Sequence, residues 1–445
     1  MYQFPEGLYT DVRIETCFST NIVYENHELK QSRVKEDSGA MIRVFDGSRW
    51  YYSATTELEQ IQDEIDSLAA MAEPNPQIGS HPVLSKLKVS QGRKMNYEDC
   101  CVRDVSPEDK TSLLASYLPL LSEKPQVQHS KAIYKDCYTV KHILSSLGTD
   151  ITFDTQSCYV ALRCMLLVGQ TPGRSGGSIC RSRFEDLKSG HDYFRDIIAK
   201  DIDFNERAVP VEPGIYTCIL SPTAAGVFAH ESFGHKSEAD FMVGDETMKQ
   251  EWMLGKQVGA PLLSIVDSGL VEGSGFVPYD DEGCPAGKTY LIKNGILSGR
   301  LHSASTAADL GDEPTGNARA INFEFEPIVR MTATYIEAGA ETKEELFSKV
   351  KDGIYIDDIS HGSGMTTFTI APFRSYRIRD GKVAEPVRIS VITGNVMSTL
   401  NDIDGLSDEV EILSLGTGGC GKGEQYPLPV GFGGPYVRVN NIHVQ

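Results

Sequence analysis

Short runs in which apolar and polar residues alternate dominate the first part of the chain. They follow one another from Asp11 to Thr55, and an alternation with a period of two places the apolar side chains on one face of a strand. The stretches 37–39 (Asp-Ser-Gly) and 46–48 (Asp-Gly-Ser) have the composition of turns. The pattern predicts an antiparallel meander with turns at these two places. Further strands are predicted over 127–169.

A helical period replaces the alternation after this meander. Apolar residues three and four positions apart predict a helix over 56–72, which Pro74 and Pro76 end. The apolar face of this helix consists of Leu58, Ile61, Ile65, Leu68 and Met71. Acidic residues occupy the opposite face, as expected for a helix that packs on a sheet with one side only.

Two more helices are predicted before the middle of the chain. The first covers 106–122, because Ser106 can cap it and Pro107 suits the first helical position. The glycine-rich segment 171–178 is predicted to be a flexible loop. The second helix, over 184–200, follows this loop and has an apolar face.

The second half mixes strands with few helices, and no repeat of structural size is visible. Its predicted strands are 215–220, 290–292, 328–335 and 387–392. A proline-containing segment at 205–213 separates this half from the helix over 184–200 and marks a domain boundary. The sequence therefore predicts an α+β fold with two domains, residues 1–205 and 206–445, each with a mixed or antiparallel sheet and helices.

Composition narrows the classes of function. The 445 residues include 62 acidic and 42 basic residues, a formal charge of -20, which repels phosphate backbones and argues against binding of nucleic acid. No apolar run is long enough for a bilayer and residues 1–11 lack a secretory leader pattern, so we expect a cytoplasmic protein without a membrane partner. The ten cysteines lack the spacing of a disulfide framework.

The segment 230–235 carries the pattern H-E-x-x-x-H. In the more familiar zinc-hydrolase pattern H-E-x-x-H, the two histidines lie four residues apart on one helical face. Five steps of about 100° in a regular helix leave two side chains about 140° apart. His230 and His235 can therefore share an ion only if the helix widens into a π-turn or unwinds, and Gly234 makes either change inexpensive.

These residue types suit a hydrolytic metal site. Two neutral imidazoles can bind Zn²⁺, and the adjacent Glu231 can accept a proton from the zinc-bound water. Two surface histidines beside an acid are the alternative reading. A third ligand is required, and the best candidate is Cys420, whose glycine neighbours allow a close approach of the backbone. A buried thiol in a turn is the alternative for Cys420.

The segment 416–423 also comes close to the phosphate-binding pattern G-x-x-x-x-G-K-[ST]. Gly423 stands where the magnesium-binding hydroxyl is required. Pro427, Pro429 and Pro435 are incompatible with the helix whose N-terminus would hold the phosphates. A phosphate-binding loop is therefore excluded.

Several motifs together resemble the TldD/PmbA family of metallopeptidases and occur in the family's order. They are the segment 230–240, Asp-Asp-Glu-Gly at 280–283, Pro-Thr-Gly-Asn-Ala-Arg at 314–319, Met-Thr-Ala-Thr-Tyr at 331–335 and Gly-Cys-Gly-Lys at 419–422. The resemblance is dense in the second half. It is loose in the first half, where Gly-Arg-Ser-Gly-Gly at 173–177 carries it.

This resemblance implies a zinc-dependent peptidase with one zinc per chain. His230, His235 and Cys420 would be the ligands, and Glu231 would be the general base that activates the zinc-bound water. The substrates implied are unfolded or extended peptides. Family members pair as a homodimer or as a heterodimer with a homologous subunit, and one branch lacks the metal motif. Because this chain keeps all four residues, it resembles the active branch.

Three further polar residues are candidates for substrate binding. Asn317 and Arg319 can bind peptide backbone or an oxyanion, and Asp281, within 280–282, can bind substrate or orient a ligand histidine. Supporting loops and a solvated acidic turn are the alternatives. For the whole chain, the alternatives to a peptidase are a non-catalytic peptide-binding partner subunit and a metal hydrolase acting on non-peptide amides.

Overall fold

The N-terminal part of the chain is built on a seven-stranded sheet. The structure, a computed structural model, describes residues 2–416 and 418–445. The strands are β1 (Tyr9–Glu25), β2 (Glu28–Phe45), β3 (Trp50–Thr55), β4 (Gln91–Lys94), β5 (Val127–Ser145), β6 (Asp150–Val168) and β7 (Thr171–Arg181). Their order is β3-β2-β1-β5-β6-β4, with β7 also paired to β6. The predicted antiparallel meander over 11–55 is confirmed.

Four helices accompany this sheet within the described residues. They are α1 (Ile61–Met71), α2 (Pro82–Lys86), α3 (Pro107–Tyr117) and α4 (His191–Arg207). As predicted, Ser106 caps α3, since its Oγ accepts the backbone N–H of Asp109 at 3.0 Å. The predicted start of the third helix is wrong, because 184–189 form a 3₁₀ turn and α4 begins only afterwards.

The predicted turn at 37–39 is wrong, because these residues lie inside β2. The β1–β2 hairpin turns instead at Asn26 and His27, whose φ angles of 47° and 68° are those of a tight two-residue turn. Gly39 has a different use: a side chain there would collide with the ring of Phe323. The glycine therefore allows the sheet to pack closely against the C-terminal part of the chain.

The predicted flexible loop at 171–178 is also wrong, because these residues belong to β7 and pair along their length with β6. A Cβ on Gly176 would lie 2.6 Å from the carbonyl oxygen of Leu162 on β6. A Cβ on Gly177 would lie 2.7 Å from Ile197 of α4. The glycines thus reflect close packing of β7 against its neighbouring strand and against a helix, and not flexibility.

The C-terminal part of the described chain contains most of the remaining elements. Its strands are β8 (Val209–Pro210), β9 (Gly214–Leu220), β10 (Ile265–Ser268), β11 (Lys288–Lys293), β12 (Ile296–Leu297), β13 (Ala318–Arg319), β14 (Ile328–Val329), β15 (Ala333–Ile336), β16 (Asp352–Gly364), β17 (Thr367–Arg379), β18 (Lys382–Arg388), β19 (Ile392–Asn395), β20 (Ile403–Leu406), β21 (Glu411–Ser414), β22 (Cys420–Lys422), β23 (Gln425–Leu428), β24 (Gly431–Gly434) and β25 (Val437–Val444). Its helices are α5 (Pro222–Ala229), α6 (Glu246–Glu251), α7 (Ala304–Leu310), α8 (Lys343–Ser348) and α9 (Val396–Asn401). The α+β class is confirmed, whereas the boundary between 205 and 206 stays a prediction.

Two sheets organise this C-terminal part. In one, β16 pairs with both β9 and β17, and the path β16-β9-β25-β19-β17 closes on itself. In the other, β12-β11-β10-β15-β24-β21 form an open sheet. The predicted strand 328–335 is divided, because β14 pairs with β13 while β15 belongs to the open sheet. None of the described helices has the length and apolar character needed to cross a bilayer.

A buried ion pair network joins the N-terminal sheet to the C-terminal part. Arg43 of β2 donates to Asp11 of β1 at 2.7 Å and lies 3.2 Å from Glu282. All three side chains are buried, and a second oxygen of Glu282 accepts the backbone N–H of Ala304 at the start of α7. Buried charges are tolerated when they are paired and hydrogen-bonded in this way.

We expect Arg43→Met to lower the free energy of unfolding by about 3–5 kcal/mol, because Asp11 and Glu282 would remain buried without their cation. Urea denaturation of the variant and the parent measures the difference. Arg379→Met is the matched control, since the pair of Arg379 with Glu385 is exposed and its loss should cost about 0–1 kcal/mol. Equal losses in the two variants would contradict this role of Arg43.

Candidate metal centre

A short, buried helix, α5, leads into the segment that carries His230. The Oγ of Ser221 accepts a backbone N–H of the first turn at 3.3 Å, and Pro222 occupies the first helical position. Gly226 allows α5 to approach β24, because a Cβ there would lie 2.5 Å from the backbone nitrogen of Gly433. The helix is thus held in place by close packing. His230 comes directly after its last residue and is therefore attached to a rigid element.

The helix widens at the histidine motif. Residues 230–234 form a π-helix, in which the N–H of His235 donates to the carbonyl of His230, five residues earlier. The two imidazole rings consequently lie on one side, with centroids 5.1 Å apart. Gly234 faces the side chain of Met331, with which a side chain at 234 would collide. The sequence predicts that the two histidines can come together only if the helix widens into a π-turn or unwinds, and the structure has the π-turn.

Cys420 reaches the motif from a small hairpin made by β22 and β23. Arg330, which is fully buried, donates from Nη2 to the carbonyl of Cys420 at 2.7 Å and from Nη1 to the carbonyl of Gln425 at 3.3 Å. These bonds attach both strands of the hairpin to the segment 329–331. The segment 420–434 contains the three strands β22, β23 and β24 and no helix, which agrees with the exclusion of a phosphate-binding helix here.

His230, His235 and Cys420 converge in the folded chain. One potential ligand atom from each residue lies within 4.8 Å of the others, and Cys420 Sγ is 3.4 Å from His235 Nε2. His230 Nδ1 is buried without a hydrogen-bond partner among the described residues. Two imidazoles and one thiol are a donor set that zinc accepts while a fourth position stays open. The residues present therefore fit zinc.

The two imidazoles differ in their affinity for protons. Burial lowers the pKa of His230 to about 3, so this ring is neutral near pH 7. Burial also acts to lower the pKa of His235, but hydrogen bonds to Cys420 and Glu238 outweigh it and raise the pKa to about 10. A metal ion that binds here must displace the proton of His235, as ligand protons are generally displaced on metal binding.

Glu231 lies beside the cluster at the wall of a large cleft. The cleft has a volume of about 1420 Å³, and His230, Glu231 and Cys420 are part of its lining. Burial raises the pKa of the Glu231 carboxyl. A carboxylate with a raised pKa that faces a cleft can both accept and return a proton.

Two charged residues behind the candidate ligands are not among the site residues predicted from the sequence. Glu238 accepts a hydrogen bond from His235 Nδ1 at 3.1 Å, and Lys422 lies 3.2 Å from Glu238. The spacings carry a signal that could have identified them: Glu238 follows His235 by three residues, and Lys422 follows Cys420 by two. Each charged residue therefore lies on the same side of its element as a ligand.

The three candidate substrate-binding residues are engaged in contacts within the protein. Asp281 forms a salt bridge with Lys141 at 2.6 Å, Asn317 donates to Asp267 at 2.9 Å, and Arg319 donates to backbone carbonyls of 331 and 429. Their role in substrate binding stays a prediction.

Asp281 and its neighbours lie apart from the histidines. Burial acts to raise the pKa of Asp281, but Lys141 and Arg13 outweigh it and lower the pKa to about 2. Asp281 and Arg319 line a second cavity, of about 490 Å³, whose lining does not include the metal-ligand candidates of the described chain. The segment 280–282 makes no described contact with either histidine and binds the N-terminal sheet and nearby backbone instead.

Two family models match the sequence. The PmbA/TldA metallopeptidase C-terminal domain matches residues 213–445, and the PmbA/TldA metallopeptidase domain 1 matches residues 10–73. The first match covers more than half of the chain. The chain belongs to the PmbA/TldD metallopeptidase family. The resemblance that its motifs indicate is confirmed.

Relatives of this family extend over nearly the whole chain. A metalloprotease of Synechocystis sp. is 31% identical, with 98% of this chain and 94% of the relative covered. A protein of Saccharolobus solfataricus named as a zinc metalloprotease TldD homolog is 28% identical, with 98% and 96% covered. Similarity to metalloproteases therefore includes both halves of the chain.

Solved structures share the fold. TldE from Thermococcus kodakarensis superposes with a TM-score of 0.78 at 18% identity, covering 98% of this chain and 96% of that one. A putative modulator of a DNA gyrase from Thermotoga maritima gives the same TM-score at 19% identity, covering 99% and 96%. At these identities the likeness concerns the fold alone.

Proposed function

We propose that this chain is a zinc-dependent peptidase with one zinc per chain, held by His230, His235 and Cys420. The observation that carries the proposal is the convergence of the three side chains, with their ligand atoms within 4.8 Å, next to Glu231 in a large cleft. Membership of a metallopeptidase family supports it. The non-catalytic subunit is disfavoured, because such a subunit has no use for Glu231.

Glu231 is the general base and acid in this proposal. Zinc, when bound, supplies a Lewis acid that polarises the scissile carbonyl and lowers the pKa of its water. The Glu231 carboxylate accepts the proton of the attacking water and later returns it to the departing amine. Burial, which raises the pKa of Glu231, favours its holding the proton between these two transfers.

The cleft is suited to peptides in an extended conformation. Residues of β7 and of β21 both line it, and each is an edge strand of its sheet within the described part of the chain. The free edge of a strand offers N–H and C=O groups to a peptide that adds as a further strand. A folded domain cannot present its backbone in this way without unfolding.

The proposed assembly is a homodimer or a heterodimer with a homologous subunit. The proposal rests on membership of a family whose resemblance implies pairing between related chains. We also propose a cytoplasmic location for this protein.

Glu231→Gln should retain one zinc per chain and lose peptide hydrolysis by about 100-fold or more, because the amide cannot accept the proton. Metal analysis and a peptide-cleavage assay on the same preparation measure both properties. Glu246→Gln is the control and should retain full turnover, because the exposed Glu246 pairs, among the described residues, only with Lys249 at the surface. Hydrolysis by Glu231→Gln at the rate of the parent would exclude Glu231 as the base.

Cys420→Ser should lower the bound zinc far below one per chain, because a hydroxyl is a poor ligand compared with a thiolate. Activity should fall with the metal content, while the melting temperature of the metal-free protein stays close to that of the parent. Cys284→Ser is the matched control, since Cys284 is also buried and lies outside the cluster. If Cys420→Ser binds zinc as the parent does, the third ligand must be another residue.

A small disulfide-stabilised domain provides a test of the preference for extended chains. The same polypeptide is offered folded, and again after reduction and alkylation have unfolded it. We expect cleavage of the unfolded form only, because only that form can add to a strand edge. Equal rates of cleavage, followed by mass spectrometry, would contradict the proposed preference.

A further inference from the structure

A buried carboxylate lies directly behind one ligand of the proposed metal centre. Glu238 is 0% exposed, and its Oε2 accepts a hydrogen bond from His235 Nδ1 at 3.1 Å. Residues 235–237 form a 3₁₀ turn, in which side chains three residues apart eclipse each other. The turn that follows the π-helix therefore brings the carboxylate to Nδ1 at the edge of the His235 ring.

Lys422 holds this carboxylate from the opposite element. Its Nζ lies 3.2 Å from Glu238 Oε2 and 2.7 Å from Asp240 Oδ1, and it donates to the carbonyl of Val329 at 2.9 Å. Cys420 and Lys422 are two residues apart on β22, so both side chains lie on one face of that strand. The helical segment and the hairpin are thus joined twice, through Cys420 to His235 and through Lys422 to Glu238.

The geometry of this contact fixes which nitrogen of His235 is free for a ligand bond. With the hydrogen on Nδ1 donated to Glu238, Nε2 faces Cys420 Sγ at 3.4 Å. Carboxylates that hold the second nitrogen of a ligand histidine fix its ring and typically contribute about 10- to 100-fold to metal affinity. A carboxylate at 0% exposure is costly unless it is paired and hydrogen-bonded, as Glu238 is with Lys422 and His235.

We propose that Glu238 is a positioning residue of the metal centre. It holds the His235 ring with Nε2 directed at the metal position, and Lys422 keeps the carboxylate in place by pairing with it. This inference rests on the proposed function, because it takes His235 and Cys420 as ligands. Neither charged residue binds the metal or the substrate.

The test compares metal affinity in Glu238→Gln and Glu238→Ala. Gln can keep an oxygen at the position of Oε2 and put its NH₂ group at Oε1, which has no hydrogen-bond partner among the described residues, so this variant keeps the shape and loses only the charge. Ala removes the contact entirely. Zinc is titrated into metal-free protein against a chelator, and we expect affinity to fall by about 10-fold in Glu238→Gln and about 100-fold in Glu238→Ala.

Cobalt substitution separates positioning from ligand loss. The thiolate-to-cobalt absorption should persist in both Glu238 variants, because Cys420 still binds, while the ligand-field bands shift as the His235 ring loses its orientation. Loss of the thiolate band in Glu238→Gln would overturn the inference, because Glu238 would then hold the hairpin and not the ring. If Glu238→Ala fails to fold, the zinc affinity and the cobalt spectrum of Glu238→Gln decide.

Asp312→Asn is the matched control. Asp312 lies 3.1 Å from His302 Nε2, outside the cluster. The substitution removes the charge from this carboxylate–histidine contact, and the zinc affinity of the variant should equal that of the parent. Parental zinc affinity in both Glu238 variants would overturn the inference while leaving the proposed function intact. A parent that binds no zinc would overturn both.

Discussion

The five-residue spacing between His230 and His235 is the constraint on which the site depends. An α-helix would separate the two rings, and the chain brings them together by widening one turn so that a carbonyl accepts from the N–H five residues later. A widened turn has few favourable contacts of its own. The surrounding core supplies them, with Phe233 packed on Trp252 at a ring distance of 4.9 Å and Gly234 against Met331.

The position of Cys420 depends on hydrogen bonds and ion pairs that join its hairpin to other segments of the chain. Arg330 binds a carbonyl on each of its strands, and Lys422 binds acidic residues that follow the histidines. The proposed ligand set is therefore assembled by contacts between segments 90 and 185 residues apart.

The acidic residues affect both the overall charge of the protein and its internal packing. The net charge of -20 argues against nucleic acid as a partner, yet acidic residues at 281 and 282 are buried between the two parts of the chain, where Lys141 and Arg43 bind them. The sequence predicted that Asp281 binds the substrate or orients a ligand histidine. The acidic segment reads as a functional motif because it is compact and polar, but the nearest basic partners come from strands more than 130 residues earlier.

The sequence by itself determined the features that depend on residues close together along the chain. Period and capping identified α1 and α3, and the resemblance of the motifs identified the family. The five-residue spacing indicated that the two histidines can meet only where the helix widens into a π-turn or unwinds. Only the tertiary structure decided where glycine permits close packing. Gly39, Gly176 and Gly177 resemble turn and loop residues in the sequence, but each lies in a strand. Atoms of a neighbouring segment occupy the space that a Cβ at each of these positions would need. The tertiary structure also decided that Glu238 and Lys422 meet, because their contact is set by the packing of a hairpin on a helical segment and leaves no periodicity in the sequence.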